Sequence, residues 1–158
     1  MRVFGIAGWK NTGKTGLTER LVAEFTSRGL AVSTVKHAHH AARLDQPGTD
    51  TDRHRAAGAG EVVLATDRGW ALVHDGPASL DDLLARLSPA DLVLVEGFKS
   101  APIRKILCHR AEVTEPPDTT LPEVRAVASN SPLEGLEVPV LDLDDTAAIA
   151  DFIAGELS

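Results

Sequence analysis

The sequence predicts a single α/β domain over residues 1–158, built as three layers with a mostly parallel sheet between helices on both faces. Three observations predict it. Short apolar runs of strand length alternate with amphipathic helical stretches along the chain. The first apolar run, 2–7, passes through a Gly-rich turn straight into a helical pattern. The run Leu92-Val93-Leu94-Val95 is aliphatic without alternation, as expected of a strand covered on both faces of a parallel sheet. A chain of 158 residues also fits the usual ~100–200 residues of one domain.

Taken in order, the helix after the first turn carries Leu17, Leu21, Val22 and Phe25 on one face and stops at Gly29. Residues 31–35 read as a second strand, followed by a polar, His-rich stretch to Gly48. A short helix over 50–59 has Thr49 or Asp50 as its cap and glycines at 58 and 60 to end it. Strands at 61–65 and 70–74 flank a tight turn at Asp67-Arg68-Gly69. Ser79 with Asp82 three residues on forms a near capping box ahead of Leu80, Leu83, Leu84 and Leu87, and Pro89 ends that helix. The buried run at 91–95 follows. Mixed polarity over 103–111 predicts an edge strand. Three prolines make 114–122 a loop, and strands at 124–128 and 138–141 lead to a closing helix bearing Ile149, Phe152, Ile153 and Leu157, capped by Asp144 or Asp145.

Composition excludes several classes. Hydrophobic residues at 43% and charged residues at 25% are globular proportions, and no apolar run approaches the ~20 residues of a membrane span. A single cysteine, Cys108, forms no internal disulfide, and the N-terminus lacks a signal-peptide pattern; both readings point to a cytoplasmic protein. The net charge of -7 and the scarcity of aromatics, 4%, argue against a nucleic-acid partner. Residues 1–79 hold 10 basic and 8 acidic side chains, whereas 80–158 hold 6 and 15, so an anionic ligand belongs to the first half.

Gly8-Trp9-Lys10-Asn11-Thr12-Gly13-Lys14-Thr15 satisfies every fixed position of G-x-x-x-x-G-K-[ST]. It lies where the chemistry needs it, between a strand and a helix. Glycines let the backbone curl so that successive N–H groups converge on a phosphate, and the helix adds its positive end. The cradle comprises Gly8, Lys10, Asn11, Thr12, Gly13, Lys14, Thr15 and Gly16, with Lys14 reaching the β- and γ-phosphates and the Thr15 hydroxyl ligating Mg²⁺. Such a loop needs an acidic residue at the end of a buried strand. Glu96 supplies it, and Gly97 turns the chain past the phosphates. Together these features make the fold a P-loop NTPase-type domain.

Lys36-His37-Ala38-His39-His40 follows the second strand, at the carboxyl edge where open α/β sheets bind ligands. The histidines read as a phosphate- or substrate-facing loop, as an incidental exposed loop, or as a metal site, the last disfavoured by the lack of accompanying cysteines. Asp50 is a candidate Mg²⁺ ligand and Arg53 or Arg55 a candidate anion partner, or these residues belong to a solvated helix start. Asn130, after the strand at 124–128, either donates and accepts at a purine edge or forms a plain turn.

GWKNTGKT at 8–15, TVKHAHH at 34–40, DQPGTDTDRHRAAGAG at 45–60, DLVLVEGFK at 91–99 and the late PVLDLDD with its helix resemble the molybdopterin-guanine dinucleotide biosynthesis protein B family. The resemblance implies a GTP-binding protein with weak GTPase activity, dependent on Mg²⁺. It would act as an adaptor for the A protein, the guanylyltransferase that converts molybdopterin cofactor to its guanine dinucleotide. It also implies a homodimer using the 103–111 strand region. Carried over by matched positions, Gly8, Gly13, Lys14 and Thr15 bind phosphates and metal and Glu96 supports the metal. Lys36, His37, Asp50, Arg53, His54 and Lys99 surround the site. The Asn-Lys-x-Asp signature for guanine is absent, so the choice of GTP rests on the resemblance. Asp50 or a histidine of 37–40 is the candidate water-positioning group. The alternative is a small-molecule kinase with a lid carrying Arg104, Lys105 and Arg110, and a third reading is a nucleotide sensor without catalysis.

Overall fold

The computed structural model describes residues 1–38 and 45–158. In chain order the elements are β1 (Arg2–Gly8), α1 (Lys14–Ser27), β2 (Val32–Lys36), α2 (Asp50–Ala56), β3 (Glu61–Thr66), β4 (Gly69–His74), α3 (Leu80–Arg86), β5 (Leu92–Glu96), β6 (Lys105–His109), β7 (Val124–Ser129), β8 (Val140–Asp142) and α4 (Thr146–Glu156). They form two compact units, Met1–His37 with Leu80–Ser158, and Ala38–Ser79.

The larger unit is built on a six-stranded sheet in the order β2-β5-β1-β6-β7-β8, parallel at every pairing. Side-chain alternation divides its core in two. Phe4 and Ile6 of β1, Leu92 and Leu94 of β5, Ile106 and Cys108 of β6, and Ala126 and Ala128 of β7 point to one face, where Leu17, Leu21 and Phe25 of α1 and Ile149 and Ile153 of α4 cover them. On the opposite face, Val93 and Val95 meet Leu80, Leu83, Leu84 and Leu87 around α3, and Ala7, Leu107 and Val127 lie under Leu121, Leu133, Leu136 and Val138 of the loops. The three layers are those expected, with half of the second face roofed by loops instead of helix. Fully buried aromatics such as Phe4 carry much of this stability, since truncating one to Ala costs ~3–5 kcal/mol.

Two expectations are corrected here. The 103–111 segment is not an edge: β6 pairs with β1 on one side and β7 on the other, and all five of its residues are buried. Its polar residues are tolerated because they find partners. Lys105 Nζ donates to the carbonyls of Ala101 and Pro122, and His109 Nδ1 lies 3.4 Å from Ser129 Oγ. Lys105 therefore contributes to no lid, and β6 offers no free backbone to a second subunit. The outer strands are β2 and β8. Nor do all strands join one sheet, because β3 and β4 pair antiparallel with each other as a separate hairpin, Glu61 opposite His74 and Thr66 opposite Gly69. A two-residue connection at Asp67-Arg68 satisfies their hydrogen bonds locally.

In this smaller unit Thr49 caps α2, its Oγ1 accepting from the Asp52 N–H at 3.3 Å. Arg55 forks onto Asp75 just after β4. The hairpin exposes Val63 (59%), Leu64 (53%) and Trp70 (69%).

Candidate nucleotide site

The turn between β1 and α1 has a backbone few sequences can adopt. Gly8 has φ +143°, and a Cβ there would meet the Cys108 carbonyl at 2.5 Å. Asn11 sits at φ 64° and Gly13 at φ 88°, both left-handed. The buried Thr12 hydroxyl donates to the Trp9 carbonyl at 2.9 Å and holds the curl closed. Gly13 is the N-cap of α1 and supplies no side-chain acceptor, and the first turn holds no acidic residue. The helix therefore begins with its N–H groups uncommitted and its positive end open to an anion. Asn11, Gly13, Lys14, Thr15, Gly16 and Arg110 line a cleft of about 370 Å³ at this point.

The acidic partner stands beside it. Glu96 ends β5 in register with Ile6 of β1 and Lys36 of β2, which brings the ends of all three strands to the loop. Thr15 Oγ1 donates to Glu96 Oε1 at 3.0 Å, and Lys36 Nζ lies 3.2 Å from both that oxygen and the Thr15 hydroxyl. Glu96 is only 7% exposed, so Lys36 and Thr15 offset the cost of keeping a carboxylate there. A hydroxyl and a carboxylate this close are the hard oxygen pair that suits Mg²⁺, which takes few protein ligands and fills the rest with water and phosphate. The residues present thus fit the metal the loop motif implies. Burial pushes the Lys14 ammonium below the ordinary lysine range; nearby Glu96 opposes this, whereas Lys99 and Lys36 add to it.

Behind Glu96 the chain turns at Gly97, φ +94°, where a Cβ would stand 2.9 Å from the Cβ of His37. The His37 ring stacks on Phe98 with centroids 4.5 Å apart, and the His37 N–H donates to the Glu96 carbonyl at 2.8 Å. His37 thereby braces the segment carrying Glu96. Lys99 places its Nζ 3.8 Å over the Trp9 ring, while Trp9 Nε1 donates to the Pro116 carbonyl at 2.9 Å. Lys10 is exposed on the loop. Asn130 follows β7, and both ends of its amide are engaged: Oδ1 accepts from the Ala111 N–H at 2.9 Å and Nδ2 donates to Glu112 at 3.3 Å.

Asp50, Arg53 and His54 lie in α2 of the smaller unit, where Asp50 and Arg53 form an exposed ion pair at 3.7 Å. The histidines at 39 and 40 fall outside the described residues. Among the described residues no group of three or more His, Cys, Asp or Glu side chains is placed to hold a metal ion, and no helix is long and apolar enough to cross a membrane. Arg110, a lid candidate by sequence, is placed by the structure on the cleft of the 8–16 loop, a position the sequence does not assign it. It was read as part of a strand, but β6 ends at His109, so Arg110 emerges at the carboxyl edge with Nε 2.9 Å from where a Gly13 Cβ would be. The signal was available in a basic residue following a buried strand.

The chain matches the family described as molybdopterin guanine dinucleotide synthesis protein B over residues 3–130. The molybdopterin-guanine dinucleotide biosynthesis adapter protein of Haemophilus influenzae is 45% identical, over 96% of this chain and 86% of that protein. Its Escherichia coli counterpart is 37% identical, over 96% and 90%. Among solved structures, a MobB protein homolog from Bacillus stearothermophilus superposes with a TM-score of 0.75 at 33% identity, covering 99% of this chain and 98% of that one. Bacillus subtilis MobB gives 0.77 at 25% identity, covering 100% and 99%. Matched over residues 3–130 and 45% and 37% identical to two relatives over 96% of its length, the chain belongs to the molybdopterin guanine dinucleotide synthesis protein B family.

Proposed function

We propose that the chain binds GTP with Mg²⁺ on the 8–16 loop, hydrolyses it slowly, and serves as an adaptor to the guanylyltransferase that makes molybdopterin guanine dinucleotide. The observation that carries this reading is the convergence of Thr15, Glu96 and Lys36 within 3.2 Å at the mouth of an uncapped helix. Related adapter proteins of this biosynthesis support the pathway role.

In this reading the loop amides and Lys14 hold the phosphates, and Arg110 contributes a second cation to the same cleft. Thr15 and Glu96 hold the Mg²⁺, which when bound neutralises phosphate charge. Lys36 keeps Glu96 oriented. The acidic second half of the chain, 15 acidic against 6 basic residues, suits docking to a basic partner surface.

The adaptor is proposed to be a homodimer. Since β6 has no free edge, the supporting surface is the β3–β4 hairpin, which has two outer backbone edges and exposes Val63 and Trp70 on one face and Leu64 on the other. Light scattering checks this: a dimer in the native chain and a monomer in Trp70→Glu are expected.

Titration calorimetry with GTP and with ATP, each with Mg²⁺, tests the nucleotide reading. Preferential GTP binding is the expected outcome. Binding of neither nucleotide would overturn it, and ATP preference would bring the kinase reading forward.

A further inference from the structure

We infer that the cavity at the carboxyl ends of β7 and β8 takes the purine of the nucleotide, and that Asp142 is the residue that selects guanine. This rests on the 8–16 loop being a nucleotide site. The cavity measures about 280 Å³ and is lined by Ser129, Asn130, Pro132, Val140 and Asp142 among others. That is just below the ~300–1,000 Å³ typical of whole-ligand clefts, a size suited to one ring system of a larger ligand.

Two links tie this cavity to the phosphate cleft. Leu143, the neighbour of Asp142, packs so near the loop that a Cβ on Gly13 would lie 3.4 Å from its Cδ2. Arg110, which lines the phosphate cleft, is followed by Ala111, whose N–H is bonded to the Asn130 side chain. A nucleotide with its phosphates on the loop therefore has the β8 end immediately beside it.

The chemistry of the lining favours a purine, and guanine in particular. Val140 and Pro132 offer apolar surface for a ring face, and Val140 is 38% exposed, a large apolar residue left uncovered. Guanine presents two adjacent donors, N1–H and N2–H, where adenine presents an acceptor at N1. One carboxylate accepts both guanine donors, and it opposes the adenine N1 lone pair. Asn130 is spent on Ala111 and Glu112, so the acceptor has to come from elsewhere. Asp142 is the carboxylate on the cavity wall. Its Oδ1 accepts from the Asp144 N–H at 2.9 Å, which fixes the side chain and leaves acceptor capacity for a ligand. It also stands opposite Ser129 in the parallel register, so β7 and β8 together set its position.

The test is Asp142→Asn, whose own Oδ1 retains the bond from the Asp144 N–H, compared with the native chain by calorimetry. The probes are GTP, ATP, xanthosine triphosphate and inorganic tripolyphosphate, each with Mg²⁺. Loss of two charge-assisted bonds should weaken GTP by about tenfold or more. Tripolyphosphate should bind unchanged, and xanthosine triphosphate, whose 2-carbonyl matches an amide N–H, should bind more tightly than to the native chain. GTP affinity within about twofold of native in Asp142→Asn would overturn the role of Asp142 while leaving the loop assignment standing. So would equal GTP and ATP affinity in the native chain. A native chain that binds neither GTP nor tripolyphosphate would overturn the nucleotide reading and this inference with it.

Discussion

Lys14 donates its side-chain hydrogen bond to the carbonyl of Trp9, five residues earlier in its own loop. The ammonium proposed to bind a phosphate is thus folded back on its own loop, and Thr12 donates to the same oxygen. Burial disfavours the charged form of Lys14, so the unfolded chain holds this proton more tightly than the folded one. The Lys14 contribution to stability therefore rises with pH up to the ordinary lysine value of 10.5. Lys14→Met should leave the ligand-free melting temperature equal or higher and flatten that rise, while removing triphosphate binding. Calorimetry with tripolyphosphate and melting curves between pH 7 and 10 would check both. Retained micromolar binding would remove Lys14 from the site.

Glu96→Gln keeps the shape of the Thr15 and Lys36 contacts and removes the charge. GTP affinity in Mg²⁺ should fall by about 10–100-fold, as measured for altered metal environments. Affinity in EDTA should change little. Equal losses in both buffers would assign Glu96 a purely structural role.

Gly97→Ala asks for a Cβ at φ +94°, 2.9 Å from the His37 Cβ and 3.1 Å from its carbonyl oxygen. Such strain costs ~1–3 kcal/mol. The midpoint of urea unfolding should fall accordingly, and Mg²⁺-dependent binding should weaken because Glu96 is displaced with its neighbour. An unshifted midpoint would mean that the ends of β2 and β5 are free to separate.

Burial pushes the Cys108 thiol up to about 12 from an ordinary 9.0. The folded chain then keeps its proton where the unfolded chain has lost it, so stability declines between pH 9 and 12 and is unaffected below that window. Native protein should resist alkylation at pH 8 and react on unfolding. Cys108→Ala should remove the alkaline decline without affecting nucleotide binding. Rapid native alkylation would show that β6 opens readily.

Much of this was legible because local chemistry and tertiary position agree. The loop's place between strand and helix and the continuous aliphatic run before Glu96 follow from local pattern, and of the two caps open for each helix the structure uses Thr49 and not Asp50, and Asp145 and not Asp144. Asp145 Oδ1 accepts from the Ala148 N–H at 3.0 Å, as its position ahead of α4 predicts. The edge position expected for the 103–111 strand fails because Lys105 is polar by sequence, yet its ammonium is satisfied by the carbonyls of Ala101 just before the strand and Pro122 just before β7. Pattern reasoning sees the charge and not the partners. Arg110 reads as a lid candidate and not as a lining residue of the loop cleft for the related reason that strand ends are set by neighbouring strands. The sequence pairs Thr15 with Glu96 through the metal the loop implies but leaves Lys36 apart, because only the register of β2 with β5 brings Lys36 to Glu96.

Trp9 gives the molecule an optical handle. Its indole is tethered to Pro116, its ring is faced by Lys99, and its carbonyl carries the bond from Lys14. A ligand that draws Lys14 toward its phosphates alters the electric field on an emitting chromophore one residue away from Gly8. The chain has two tryptophans, and the other, Trp70, belongs to the hairpin. Replacing Trp70 with Phe leaves a single emitter inside the phosphate loop, so occupancy of that loop becomes readable in real time from the protein's intrinsic fluorescence, without a label.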